Sequence, residues 1–406
     1  MSTDFTANGR RYRAPERPVL AICADGWDPA YVDDALGRAL MPQLAAALQR
    51  GGTYALASAQ VPTFTNPNNV AIVTGISAAG NGIAGNHFLD PSGAEVQVTD
   101  PSFLRAQTIH AAAREAGVSA LCVTAKDKLR RLLASGGVPA YSAELAHEQT
   151  LPDGTPITDV VGRPNPGIYD WELSPYTIDL ALALADRLGS RLVYASLTDF
   201  VQHSAAPGEP MADAFYRAVD ESLGRALQAG FTVGLVADHG MNAKADSAGN
   251  PNVRFLDDVL AEAGVGGRTL CPITDPYVAH HAALGSLAWV HLDDGGGPAV
   301  RARARAALAG VDGVEAVLDR SAAAAAFSLP ADRIGDLVVL ADGETVLGRS
   351  AAVHDLSALH GTLRSHGGLH ERTVPMIVCA PLAAGALDGR ELHNRDLHDL
   401  LLNSTS

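Results

Sequence analysis

Cysteine is scarce in this chain of 406 residues: Cys23, Cys122, Cys271 and Cys379 are all there are, and none stands in a C-x-x-C pair. That weighs against a disulfide framework and fits a reducing compartment; Cys23, Cys122 and Cys379 sit in apolar runs and read as buried thiols. Net basic charge is missing too, since 30 Lys and Arg against 45 Asp and Glu leave a formal charge of −15. A nucleic-acid partner needs a basic face, so that class is excluded. A small anionic ligand is not, because two divalent cations can make a pocket locally positive inside an acidic protein. No stretch reaches the roughly 18 apolar residues of a membrane span. Basic residues at Arg10, Arg11, Arg13 and Arg17 precede an apolar run, but the run ends at Asp25, too early for a signal peptide. The expectation is a cytoplasmic protein with no membrane partner. Aromatics are thin as well, at 5%.

What is present is a well-filled core, with 47% apolar and 18% charged residues. The length predicts one large domain plus a smaller one or an insertion. Short apolar runs at 19–24, 53–59, 120–124, 191–197, 232–237 and 376–380 read as buried strands. Helical patterns fall between them at 42–50, 101–116, 176–188 and 211–229. This alternation predicts an α/β fold, a mostly parallel central sheet flanked by helices. The stretch 272–342 differs, with strand-like runs at 284–292 and 337–341 and helices at 298–309 and 320–327. It reads as a small α+β cap inserted in a core of 1–271 and 343–406.

In such sheets ligands bind beyond the carboxyl ends of the strands. Asp25, Lys126, Asp199 and Asp238 all fall there. Leu235–Met241 reads LVADHGM, and Asp238 and His239 can reach one ion if the backbone turns, which Gly240 permits. Asp199 and His203 lie at i and i+4, one face of a helix, the spacing by which two helical residues chelate a metal. His366 stands in a Gly-flanked loop, SHGG. Singly, each has an ordinary explanation as a cap or a surface residue. Together they divide into two sets, Asp199, His203 and His366 for one ion, and Asp25, Asp238 and His239 for the other. Mixed carboxylate and imidazole ligands suit Zn²⁺, and Mn²⁺ or Fe²⁺ also fit. Thr65, in VPTFTNPNNVAIVTG, would bridge from the metals toward the substrate. A helix beginning near Pro67 would leave Thr65 at its positive end, where its alkoxide is favoured; the plainer alternative is a helix cap.

The T-x-P-N segment, the VTG that follows it, the D-x-x-x-H pair, the DHG turn and the late HGG resemble the alkaline phosphatase superfamily. The branch resembled is the one holding nucleotide pyrophosphatases/phosphodiesterases and the phosphonoacetate hydrolases. The order Asp25, Thr65, Asp199, His203, Asp238, His239, His366 is the order that superfamily uses. The resemblance implies Thr65 as nucleophile and as a metal ligand, a phosphothreonine intermediate, and two zinc ions. Asn86 matches an asparagine that donates to a phosphoryl oxygen. Lys126 and Lys128, which extended geometry would point the same way, resemble the pair that holds the substrate carboxylate in the phosphonoacetate hydrolases. The tract DPYVAHHAALGS, with His280 and His281, looks like the same group. Phosphodiesterase relatives carry T-x-P-N-H after the nucleophile and have an aromatic slot; here Asn69 replaces that His and aromatics are few. The implied activity is cleavage of the P–C bond of phosphonoacetate, with a phosphodiesterase or phosphomonoesterase as the rival. The expected partner is a small anionic phosphonate, and a homodimer is the assembly to test.

Overall fold

The computed structural model describes residues 3–273, 282–359 and 361–405. Its main sheet has seven strands, in the spatial order Thr53–Ser58, Thr373–Val378, Thr232–Val236, Val19–Cys23, Leu192–Ser196, Ala120–Thr124 and Ala140–Ser142. All neighbours pair in parallel except around Thr373–Val378, which runs antiparallel to both strands beside it. The sheet is therefore mostly parallel and flanked by helices, as the alternating pattern requires.

The inner strands are buried along their whole length because helices cover them. Leu173–Leu188 and Pro210–Gln228 pack together with the sheet. The C-terminal helical segment presses on Gly234, where a Cβ would meet Leu397 and Leu401 at 2.9 Å. The expected helix at 101–116 is shorter than its pattern, a single 3₁₀ turn at Pro101–Phe103 and then a helix at Ile109–Glu115. Two caps divide it: Asp100 accepts from the Ser102 N–H, and Thr108 accepts from the Ala111 N–H.

A second, antiparallel sheet orders Gly267–Leu270, Leu287–Leu292, Leu337–Ala341 and Val314–Asp319. Helices at Pro298–Ala309 and Arg320–Phe327 accompany it. It joins the main body at Gly285, whose backbone lies against the Phe64 ring and the His366 carbonyl. Among the described residues no helix is long and apolar enough to cross a membrane. None of the four cysteines is in a disulfide; Cys23, Cys122 and Cys271 are buried, while Cys379 is only partly so.

Candidate metal centre

Four strand ends build the floor of the site. Asp25 follows Val19–Cys23, Asp199 follows Leu192–Ser196, Asp238 follows Thr232–Val236, and Lys126 follows Ala120–Thr124. Gly26 turns the chain with φ of 73°, and a Cβ there would stand 3.0 Å from the Asp199 Cβ, so the first two ends can approach only through glycine. Asp199 precedes the short helix Phe200–Ser204, and the His203 N–H donates to the Asp199 carbonyl at 3.0 Å, which stacks the pair as their spacing implied. Gly240 works differently from expectation. It does not take a positive φ; instead Asp28 and Glu371 crowd it, and a Cβ would sit 2.7 Å from the Asp28 carboxylate.

The six carboxylate and imidazole residues gather as two triads, Asp199–His203–His366 and Asp25–Asp238–His239, each with ligand atoms within 4.8 Å of one another. All six are buried. The triads adjoin: the His239 and His366 rings stack with centroids 3.5 Å apart at 8°. Each histidine is fixed through Nδ1, which contacts a backbone carbonyl: His203 that of Arg364 at 2.7 Å, His239 that of Gly240 at 2.9 Å, and His366 that of Thr63 at 2.6 Å. With the proton on Nδ1, the Nε2 lone pair is left facing the carboxylates, the usual orientation of an imidazole that ligates metal. His239 Nε2 then looks at Asp25 Oδ1 from 3.3 Å, an acceptor against an acceptor. Among the described residues both Asp25 oxygens and His239 Nε2 are buried without a hydrogen-bond donor. A cation between them removes that conflict, and mixed N/O triads of this kind fit a divalent ion.

The electrostatics point the same way. Burial pushes the Asp238 pKa well up, and the Asp25 charge adds to it. Burial lowers His239, but Asp238 and Asp25 outweigh it and hold the ring up at about 9, so that with no ion present a proton on Nε2 takes the place between ring and carboxylate that a cation would fill. His366 goes down, through burial and then the neighbouring His239. Burial would raise Asp199, yet Lys126 and then His203 take it well below the usual carboxylate range. Three carboxylates in one dry cleft call for positive charge, which two divalent ions would supply.

Thr65 opens the helix Thr65–Thr74, two residues earlier than Pro67 suggested. The cap is Phe64, without a side-chain capping bond, so the Thr65 hydroxyl is not used as a cap. Two connections hold this turn at the triads. Thr63 is laced to the His366 loop: its hydroxyl donates to the Gly368 carbonyl at 3.0 Å and accepts from the Gly367 N–H at 2.9 Å. Asn69, one turn after Thr65, donates to the Thr65 carbonyl at 3.0 Å and to Asp238 Oδ2 at 3.2 Å. Asn86 lies beside the same turn, its side-chain oxygen accepting from the Asn66 N–H at 3.1 Å. That leaves its amide hydrogens as the available donors.

Comparison with known proteins gives this arrangement a family. The model of type I phosphodiesterases/nucleotide pyrophosphatases matches residues 19–368. This chain belongs to that family. Among solved structures, phosphonoacetate hydrolase from Sinorhizobium meliloti 1021 in complex with phosphonoformate is 40% identical over 100% of both chains, with a TM-score of 0.92. The same enzyme in complex with phosphonoacetate gives 39% identity, again over 100% of both chains, and a TM-score of 0.93. Murine ectonucleotide pyrophosphatase/phosphodiesterase 5 in complex with AMP is 18% identical over 96% of each chain with a TM-score of 0.62, a likeness of fold.

The lysines of this family member depart from the extended geometry expected of them. Lys126 is extended (φ −99°, ψ 134°), but the helix Asp127–Leu133 begins directly after it, so Lys128 stands in a first helical turn. Lys126 Nζ reaches Asp199 Oδ1 at 2.9 Å and Asp25 Oδ2 at 3.8 Å, touching both triads. Lys128 is half-buried. His280 and His281 lie outside the described residues. In the sequence Asn69 stands out only as a departure from the phosphodiesterase pattern. Its oxygen accepts from Tyr194 at 2.7 Å and Ser196 at 2.8 Å, so Asn69 is a fully used connector between the Thr65 turn and Asp238. The signal was available, because a polar residue four positions after Thr65 shares its helical face.

Proposed function

We propose that this chain is a phosphonoacetate hydrolase, cleaving the P–C bond to give acetate and phosphate. The observation that carries the reading is full-length similarity, at 40% identity, to an enzyme of that name. The site chemistry supports it. Thr65 Oγ1 attacks phosphorus, a P–O bond forms, and the P–C bond breaks. The electron pair passes into the neighbouring carboxylate as an enediolate, which then takes a proton to become acetate. Lys126 and Lys128 stabilise that charge, which is largest as the bond breaks. An ammonium has three donors, so Lys126 can keep Asp199 and still bind a substrate carboxylate. Asn86 offers its amide to a phosphonate oxygen. Water then hydrolyses the phosphothreonine and restores the Thr65 hydroxyl.

Asp199, His203 and His366 would hold one ion and Asp25, Asp238 and His239 the other, with Thr65 as the shared nucleophile and ligand. Zinc there, or Mn²⁺ or Fe²⁺, supplies the charge that favours the Thr65 alkoxide and offsets the phosphonate oxygens. Residues 272–342 are assigned as the cap on a core of 1–271 and 343–406, with the strand Gly267–Leu270 of the core stretch adding an edge to the cap's sheet. Free cysteines support a reducing cytoplasm as its location.

Phosphate release tests the function. Chelated protein, then zinc-reloaded protein, is assayed on phosphonoacetate and on aryl phosphate mono- and diesters. The reading expects zinc-dependent phosphate from phosphonoacetate; turnover of the esters alone would assign the rival activity.

A further inference from the structure

Of the six proposed ligands, His203 is the one carried inside a helix. It sits in a helix of five residues, Phe200–Ser204, far below the roughly 12–15 at which helices begin to persist alone. Something outside the helix must hold it. Helix carbonyls near a C-terminus need external donors, and here they find a common set. Arg364 Nε donates to the Gln202 carbonyl at 2.7 Å. The Tyr31 hydroxyl donates to the Ala205 carbonyl at 2.6 Å and lies 3.3 Å from that of Gln202. Arg364 in turn donates to the Tyr31 oxygen at 3.0 Å and lies over the Tyr31 ring, 5.8 Å from its centroid.

Arg364 acts at a second point. Its own carbonyl is the one that receives His203 Nδ1 at 2.7 Å, so the residue fixes both the backbone of the helix and the ring of the ligand it carries. Arg364 also belongs to the two-residue strand Arg364–Ser365, which runs straight into His366. That strand pairs with Asn242–Ala243, just past the Asp238-His239 turn. Its remaining bond, to the Met241 carbonyl, is long at 3.5 Å. The connection to the first triad is therefore short and multiple, and the connection to the second is loose.

We infer that Arg364 is a positioning residue for the Asp199–His203–His366 site, so that the ion held there depends on its guanidinium while the ion at Asp25–Asp238–His239 does not. The inference rests on the two-ion reading of the centre. Supports of this kind typically govern metal affinity by about 10–100-fold.

The test is a zinc titration against a chromophoric chelator, which reads affinity without activity. Wild-type protein should show two sites. Arg364→Met should weaken one by about 10–100-fold and leave the other as it was. In a His203→Ala background, which spoils the first triad, adding Arg364→Met should not change the affinity that remains. Tyr31→Phe keeps the buried ring and removes only the hydroxyl, and should weaken the same site to a smaller degree. A merely structural Arg364 would lower the melting temperature without separating the two affinities. The inference is overturned if both affinities fall together, if neither moves, or if Arg364→Met still acts in the His203→Ala protein. A wild-type chain that binds no zinc would overturn the metal-centre reading and this inference with it.

Discussion

Lys244 and Glu371 form an ion pair at 2.7 Å, and both side chains are 0% exposed. The pair ties together the segments that carry the ligands. Lys244 also donates to the Gly343 carbonyl at 2.9 Å. Glu371 accepts from the Asn242 side chain at 2.7 Å and from the Gly368 N–H at 3.1 Å, while its carbonyl accepts from the Gly240 N–H at 2.8 Å. Replacing Lys244 with Met keeps an unbranched apolar stem one atom shorter but strands a carboxylate in a dry interior. Removing one partner of a buried pair costs about 3–5 kcal/mol. The other two donors to Glu371 remain, so the lower end of that range is expected. The double variant Lys244→Met, Glu371→Gln removes the stranded charge and keeps an acceptor for Gly368. It should return to within about 1–2 kcal/mol of wild type, since neutral replacement of both partners is often tolerated. Urea unfolding midpoints with zinc held in fixed excess measure both. A single variant within about 1 kcal/mol of wild type, or a double variant no better than the single, would refute the reasoning.

Acid stability should depend on His398, away from the metals. Burial takes its pKa down to about 4, with the bond to the Ile72 carbonyl opposing. The folded value lies below the unfolded value of about 6.5, so the contribution is present above pH 6.5 and is lost as pH falls toward 4; about 2.5 units correspond to roughly 3 kcal/mol. Melting of zinc-free protein from pH 7 to 4.5 should show a shallower decline for His398→Leu than for wild type, and equal slopes would contradict the assignment. Thr65→Ala should abolish phosphonoacetate turnover while bound zinc persists, checked by phosphate assay and metal analysis together; near-normal activity would exclude the covalent route. Lys126→Ala should harm phosphonoacetate cleavage far more than aryl phosphate cleavage, because an aryl leaving group has no carboxylate to hold, and equal losses would dismiss the clamp.

Asp25, Asp199 and Asp238 were legible because each follows closely on a short, largely apolar strand. The helices Pro298–Ala309 and Arg320–Phe327 were equally plain, with their composition changing at both ends. Strand order was not, since nothing local in Thr373–Val378 says that it runs against its neighbours. Val314–Asp319 carries no readable alternation, because only one of its six residues is buried. Ala140–Ser142 is too short to carry a pattern. The connectors of the site escaped for another reason. Asn69, Arg364 and Glu371 act through hydrogen bonds to segments more than a hundred residues away, Glu371 through Asn242 and Lys244, and no spacing rule reports those.

Six side chains, from Asp25 to His366, are proposed to enclose two ions beside Thr65. Anomalous diffraction at the zinc edge, on crystals of the zinc-reloaded protein, tests it most directly. Two peaks are expected, one among Asp199, His203 and His366 and one among Asp25, Asp238 and His239. An absence of peaks at these residues, or zinc bound only elsewhere on the chain, would contradict it.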